Sequence, residues 1–202
     1  MPLARAMRQY ILEPMDLKQT QSFSTPQIPE PVLHTFSSER RSELRVPAEV
    51  PFYEESTFWN PSWTTAEGAI QTTDITDMSK SMEAVGTGKL LSKESLAAQV
   101  NPNLVGFGKA DPHCPACHHM SEALNYGLGV VDRGPWVTQT KSFAGCGATV
   151  GYLPSKKLAV AVAVTYGPKA FDDQGNCTNV SDKIFTSLGN ALAPGTLAKP
   201  GP

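Results

Sequence analysis

The stretch Asn125 to Tyr166, NYGLGVVDRGPWVTQTKSFAGCGATVGYLPSKKLAVAVAVTY, decides the fold. It reads as four short strands in succession, separated by legible turns. Asn125 to Asp132 carries strand-forming residues, Arg133-Gly134-Pro135 breaks it, and Trp136 to Phe143 resumes with alternating apolar and polar side chains. Gly145-Cys146-Gly147 opens a third segment that ends at Tyr152-Leu153, and Pro154-Ser155-Lys156-Lys157 makes the next turn. In the last strand, Leu158, Val160, Val162 and Val164 face one way and Ala159, Ala161 and Ala163 the other. A strand apolar on both faces is covered on both faces, and a surface of alanines lets a helix approach closely. The expectation is an α+β fold in which an antiparallel sheet is flanked by helices.

Working outward, 202 residues with 40% apolar content suit one domain or a large part of one. A net charge of −2 without a basic stripe argues against nucleic acid as a partner. No apolar run approaches the roughly 20 residues of a membrane span. Met1 to Gln9 has arginines but no apolar centre with a cleavage site, so it is not a secretory signal; taken literally, the chain is made in the cytoplasm.

Leu3, Met7, Tyr10 and Ile11 recur at helical spacing and Pro14 ends the run, which predicts a helix within residues 1–17. Gln19 to Thr57 has prolines at 26, 29, 31, 47 and 51 and no sustained periodicity, so residues 18–65 read as a long irregular loop. His34 has no companion in the sequence that makes it a ligand or base. Phe52, Tyr53, Phe58, Trp59 and Trp63 form an aromatic cluster, read first as a satellite core and second as a groove wall. Residues 66–105 read as a helical subdomain. Asp74 is an N-cap with Asp77 at the third position; Ile75, Met78, Met82 and Val85 share a face, and Gly86-Thr87-Gly88 stops the helix. A second helix starts at Ser92 with Leu96 buried. At the other end, over 179–193, Asn179 caps a helix whose Val180, Ile184, Leu188 and Ala191 share a stripe, and Leu197 begins a frayed tail.

Tyr126-Gly-Leu-Gly129, then Gly147-Ala-Thr-Val-Gly151-Tyr152 and an apolar strand, resembles the C-terminal half of the serine β-lactamase and penicillin-binding-protein superfamily, in its class C β-lactamase, carboxypeptidase and esterase-like branch. The segment Arg8 to Leu17 followed by Thr20 is similar to that family's helix ending in Pro-Leu-Gly-Met, and Gly88 to Leu96 to its helical subdomain. The resemblance covers most of residues 1–193 and implies a partial β-lactamase/transpeptidase-like fold that begins in mid-domain. It also implies that the loop over residues 18–65 roofs a cleft, and that a C-terminal helix packs back on the sheet.

In the family, a third motif of Lys-Thr-Gly or His-Thr-Gly lies on a sheet edge. Its backbone donates an oxyanion hydrogen bond and pairs with substrate as an added strand. By position, Gly145 and Cys146 stand at the first two motif residues, Gly147 at the third, and Ala148 follows on the edge. Lys141 is the candidate to restore the missing positive charge for a substrate carboxylate. The resemblance thus implies Lys141, Gly145, Cys146, Gly147 and Ala148 as substrate-binding residues for a β-lactam, ester or D-alanyl peptide, a small-molecule or peptidoglycan-like substrate.

The family's nucleophile needs a serine three residues before a lysine, so that the amine activates the hydroxyl. No lysine here has one; Thr138 with Lys141 is the nearest imitation, and on a strand those two face opposite sides. Tyr-x-Asn is also absent. No catalytic residue is therefore assigned, and the chain alone is expected to be inactive. The alternative is a non-catalytic family member acting as a binding or interaction module, with self-association through an uncovered sheet edge.

His113-Cys114-Pro-Ala-Cys117-His118-His119 has ligand types for half of a zinc site, but Cys146 and Cys177 form no second knuckle, so neither metal nor cofactor is expected. Since the family is usually exported, the resemblance favours disulfides Cys114 with Cys117 and Cys146 with Cys177. A Cys146 nucleophile requires an approaching histidine, which the sequence does not show.

Overall fold

The computed structural model describes residues 1–23, 25, 28, 30–59, 71–101, 103–114 and 117–197. Trp63 and Ala66 to Ile70, expected in the aromatic cluster and at the entry to the helical subdomain, lie outside the described residues. The fold is α+β. Helices are α1 (Leu3–Met7), α2 (Glu13–Met15), α3 (Ile75–Gly86), α4 (Lys93–Val100) and α5 (Ser181–Leu192). Strands β1 (Phe36–Ser37) and β2 (Glu54–Glu55) form a small sheet, and β3 (Asn125–Tyr126), β4 (Val131–Arg133), β5 (Trp136–Phe143), β6 (Cys146–Leu153) and β7 (Leu158–Thr165) a larger one.

In the larger sheet each strand lies beside its sequence neighbour, in the order β3-β4-β5-β6-β7. Asn125 to Asp132 is two paired strands rather than the single strand expected. The chain reverses between them: Gly127 N–H donates to the Val130 carbonyl at 2.8 Å and Gly129 has φ 78°. A Cβ on Gly127 would lie 2.2 Å from the Gln99 carbonyl oxygen, so only glycine fits. The other turns stand where the sequence puts them. Gly134 (φ 57°) turns β4 into β5 with Arg133 opposite Trp136, and Lys157 (φ 49°) closes the turn into β7. Between β5 and β6 only Ala144 (φ 50°) and Gly145 (φ 79°) remain, a two-residue type I′ hairpin whose left-handed pair matches strand twist.

The chain divides into two compact units, Met1–Asp77 with Thr140–Thr149 and Val162–Asp182, and Met78–Gln139 with Val150–Ala161 and the residues from Lys183 onward. In the second, Met82 and Val85 of α3 pack with Val130, Val137, Val150, Tyr152 and Ala159. The small Ala159 is what admits that helix, as the alanine face of β7 leads one to expect. Of the predicted α3 face, Ile75 is instead 49% exposed, because its position in the first turn precedes the packed part of the helix. Ser92 caps α4 by accepting from the Ser95 N–H at 3.1 Å, while Leu96 is half-buried rather than buried.

Also in the second unit, Phe185 of α5 meets Trp136 edge-on at 5.4 Å, both fully buried, each ring worth about 2–3 kcal/mol on area. The apolar stripe predicted for α5 exists but faces outward: Ile184 and Leu188 are 42% and 43% exposed. Phe185 and Gly189 form the packing row instead, because a ring flanked by a residue without a side chain fits closely where a row of branched residues does not. Leu197 is not frayed. It is buried and exchanges hydrogen bonds with Asn190 at 3.1 and 3.3 Å, and Trp136 Nε1 donates to Thr196 Oγ1 at 2.9 Å.

In the first unit the N-terminal helix continues past Pro14. Its α-helical ends, α1 and α2, are joined by a π-helical turn, Arg8–Leu12, and the helix stops at Asp16 (φ 59°). The wide turn rotates the register, so Leu12 and Leu17 are buried while Leu3 and Tyr10 are exposed. The buried Asp77 accepts from Gln19 N–H at 2.6 Å and Thr20 Oγ1 at 3.0 Å, and its own N–H donates to the capping carboxylate of Asp74 at 2.7 Å. The long loop is internally tied. Arg41 donates to the carbonyls of Pro47 and Val50 at 2.6 and 2.7 Å, and Ser38 Oγ to that of Phe52 at 2.6 Å. His34 does have companions: Nδ1 lies 2.7 Å from Glu55 and Nε2 3.3 Å from Glu30, and the hydrogen bond to Glu55 leads in raising its pKa.

Candidate functional site

The two-residue hairpin sets Phe143 opposite Cys146, and side chains alternate from there. Lys141, Phe143, Cys146 and Ala148 therefore share one face, with Ser142, Gly147 and Thr149 on the other. On the first face Lys141 Nζ lies 2.6 Å from Cys146 Sγ, which also sits 3.0 Å from the Phe143 carbonyl, and the lysine stands over the Phe143 ring at 5.9 Å. Lys141 is exposed, and Cys146 and Ala148 are half-exposed.

The second face is closed by the start of α5. Asn179 Oδ1 caps that helix by accepting from the Ser181 N–H at 3.0 Å, and also accepts from Tyr166 OH at 3.2 Å. Its Nδ2 donates to the Lys141 carbonyl at 3.0 Å, so the residue read as a helix cap also pins the backbone that carries the lysine. Thr149 and Ser181 hydroxyls pair at 2.8 Å, both buried. A Cβ at Gly147 would lie 2.2 Å from Asn179 Oδ1 and 2.3 Å from Tyr166 OH, so the motif glycine is required by packing. Burial raises the Tyr166 phenol pKa, against a lowering hydrogen bond with Ser142.

The turn is covered by the long loop. Tyr166 N–H donates to the Gly145 carbonyl at 3.0 Å, and Ser56 Oγ donates to that of Ala144. A Cβ on Gly145 would lie 1.9 Å from the Phe36 carbonyl oxygen, so the lysine or imidazole of the related motif has no room here. Tyr53 stacks on Phe36 at 5.3 Å, meets Phe171 edge-on at 6.2 Å and donates its hydroxyl to the Tyr166 carbonyl. The expected aromatic cluster is thus divided: Tyr53 belongs to this group, while Phe58 sits by His34 at 6.2 Å and Trp59 under Arg40 at 4.8 Å. Beside Phe171, a depression of about 370 Å³ is lined by Lys169, Asp172, Asn176 and Cys177 among others.

The structure brings Lys141, Cys146 and Ala148 together on an accessible face, and keeps Gly145 and Gly147 buried as backbone supports. β6 lies between β5 and β7, so Gly147 and Ala148 are not on a sheet edge as expected. Cys114 and Cys117 are disulfide-bonded, as expected, but Cys146 and Cys177 are free thiols. The physical reason is the strand alternation. Cys146 is held by Lys141, whereas Cys177 hydrogen-bonds with Ser142, which points to the opposite face. Burial, with Glu39 behind it, raises the Cys177 pKa. Among the described residues no group of three or more His, Cys, Asp or Glu is arranged to hold a metal ion.

The antiparallel meander β3 to β7, with its glycine-dependent hairpin between β5 and β6, belongs to a protein of the serine β-lactamase and penicillin-binding-protein class. The Beta-lactamase family model matches residues 1–182, and the chain belongs to that family. No curated protein matches it. Among solved structures it is similar to a D-amino acid amidase from Ochrobactrum anthropi SV3 complexed with L-phenylalanine, at 16% identity and TM-score 0.64, covering 95% of this chain and 54% of that one. It is also similar to a penicillin binding protein from Bacillus halodurans, at 13% identity and TM-score 0.56, covering 82% and 46%. The chain spans about half the length of these structures.

Proposed function

We propose that the β5–β6 hairpin is a substrate-binding wall, with Lys141, Cys146 and Ala148 as its surface and the buried Gly145 and Gly147 as its backbone supports, for a carboxylate-bearing acyl compound: a β-lactam, an ester or a D-alanyl peptide. On this reading the chain is a β-lactamase-related, serine-hydrolase-like protein that binds such compounds without catalytic turnover, because its sequence has neither Ser-x-x-Lys nor Tyr-x-Asn. The observation that carries the reading is the placement of Lys141, an exposed ammonium whose backbone is pinned by Asn179 beside the half-exposed Cys146 and Ala148. A D-amino acid amidase among the similar structures supports the D-amino-acid end of the substrate range. The test is fluorescence anisotropy with a fluorescent penicillin, alongside chromatography of the same mixture. Saturable binding with the penicillin recovered intact is expected; absence of binding refutes the reading.

A second reading, an interaction module that self-associates, is favoured by β7. Among the described residues it pairs on one side only, with β6, and its sequence LAVAVAVT has no charge or proline to discourage edge pairing. Light scattering coupled to gel filtration decides it: a monodisperse monomer at all concentrations excludes it.

A further inference from the structure

The wall proposed above contains more than a binding cation. Lys141 Nζ donates to the half-exposed Cys146 sulfur at 2.6 Å, and a cation held against a sulfur is an arrangement that activates it by stabilising the thiolate. In place of the histidine that the sequence fails to supply stands a lysine cation five residues earlier, which the hairpin folds back onto the sulfur. The pair is built rather than incidental. Asn179 holds the Lys141 carbonyl at 3.0 Å, the Phe143 carbonyl lies 3.0 Å from Sγ, and the buried glycine turn fixes the register that aligns the two strands. The other free thiol, Cys177, has Ser142 and the depression beside Phe171 around it, and no amine is drawn to its sulfur among the described contacts.

The geometry points to Cys146 as an acyl acceptor, with the Lys141 ammonium holding its thiolate and protonating the leaving group, so that a β-lactam or an activated ester leaves its acyl group on this sulfur. In that step the thiol gives its proton to water, the Lys141 ammonium hydrogen-bonds the resulting thiolate, and the sulfur electron pair forms the bond to the carbonyl carbon. The lactam C–N bond, or the ester C–O bond, then breaks. Its electrons stay with the nitrogen or the alkoxide, which takes a proton from Nζ, and Nζ recovers the proton that the thiol released to water. The product is a thioester on Cys146, and neither oxidant nor water is consumed. The inference rests on the binding reading, since the compound must first lie against this face. It adds that binding ends in a single covalent event instead of turnover.

The experiment uses the whole reduced chain with two probes, a fluorescent penicillin and para-nitrophenyl acetate, followed by intact mass and peptide mapping. One adduct per chain is expected, mapped to Cys146, forming at least tenfold faster than any label on Cys177. At penicillin concentrations that saturate both proteins Lys141→Met should slow it at least tenfold, with an unchanged circular-dichroism melting curve as the control for folding, and Cys146→Ser should remove the adduct. Labelling of Cys146 that proceeds equally fast in Lys141→Met, or that matches Cys177, means an exposed thiol only and overturns the inference. An adduct elsewhere overturns it too. Anisotropy on Cys146→Ala separates the two levels: penicillin bound there, with no adduct on the unmodified chain, refutes the acyl acceptor and leaves the binding wall standing. No binding and no adduct refutes both.

Discussion

On one face of the β5–β6 hairpin Trp136, Thr138 and Thr149 are fully buried, and Gly147 and Gly151 leave space that Asn179 and Phe185 fill. On the other face, toward the turn, Lys141 and Phe143 are exposed and Cys146 and Ala148 half-exposed. The residues come from the same two strands: parity sets the face, and distance from the turn sets the exposure, since Val137 and Tyr152 on the lysine's face pack with Met82 of α3. The period of two lets one hairpin serve as core and as chemical surface at once. Stability and reactivity are thereby assigned to alternating positions, and substitutions should separate them cleanly.

The strongest way to break that separation is at the turn, which both faces share. Replacing Gly145 with histidine restores the side chain of the related motif but collides with the Phe36 carbonyl and occupies a left-handed backbone conformation. A loss of about 3 kcal/mol or more is expected from the sum of backbone strain and overpacking, seen as a fall in urea midpoint. Trp136→Ala tests the buried face alone. It should cost about 3–5 kcal/mol by cavity formation and lost burial, while penicillin binding to whatever remains folded is unchanged. Lys141→Met tests the exposed face alone: stability within about 0.5 kcal/mol of the parent, with penicillin affinity about tenfold weaker by anisotropy.

A smaller effect concerns Asp132, opposite Val137 at the buried end of the sheet, whose Oδ2 has no hydrogen-bond partner among the described residues. Burial pushes its pKa up from 3.8 to about 6. The folded state therefore holds this proton more tightly than the unfolded chain does. Its contribution to stability should fall as pH rises from near 4 and level off above about 6, the sign required when the folded form binds more protons. Asp132→Asn should flatten that part of the profile and raise melting temperature at neutral pH. Equal pH dependence in both proteins would show that the carboxyl is well solvated. Finally, Ala163→Lys, on the exposed part of β7, should dissociate any edge-paired oligomer with little change in melting temperature, read by light scattering.

Much of the sheet was legible in the sequence because turns are local. Gly134-Pro135, Ala144-Gly145 and Pro154 to Lys157 end strands through their own backbone preferences, whatever packs on them. The reversal after Tyr126 was harder to see, since Gly127 is needed there for a carbonyl contact with Gln99, far away in sequence. The same limit explains α5: its outward apolar stripe and inward Phe185 have the same helical spacing, and only the sheet surface distinguishes them. Within the site, Lys141, Cys146 and Ala148 were selected by position relative to a motif. Asn179 and Tyr166 were missed as site residues because nothing local signals a side chain reaching 38 residues back to the Lys141 carbonyl or a phenol over Gly147.

The sequence by itself determined the α+β class, the turns from β4 to β7, the caps at Asp74, Ser92 and Asn179, and the absence of Ser-x-x-Lys, since each depends on residues within a few positions of one another. Tertiary structure alone decided that β6 is an inner strand and that Phe36 fills the space a larger residue at 145 would need. It also decided that Cys146 meets a lysine in place of Cys177. Those outcomes depend on strand pairing and on which face each side chain takes, and pairing is settled by contacts between segments distant along the chain.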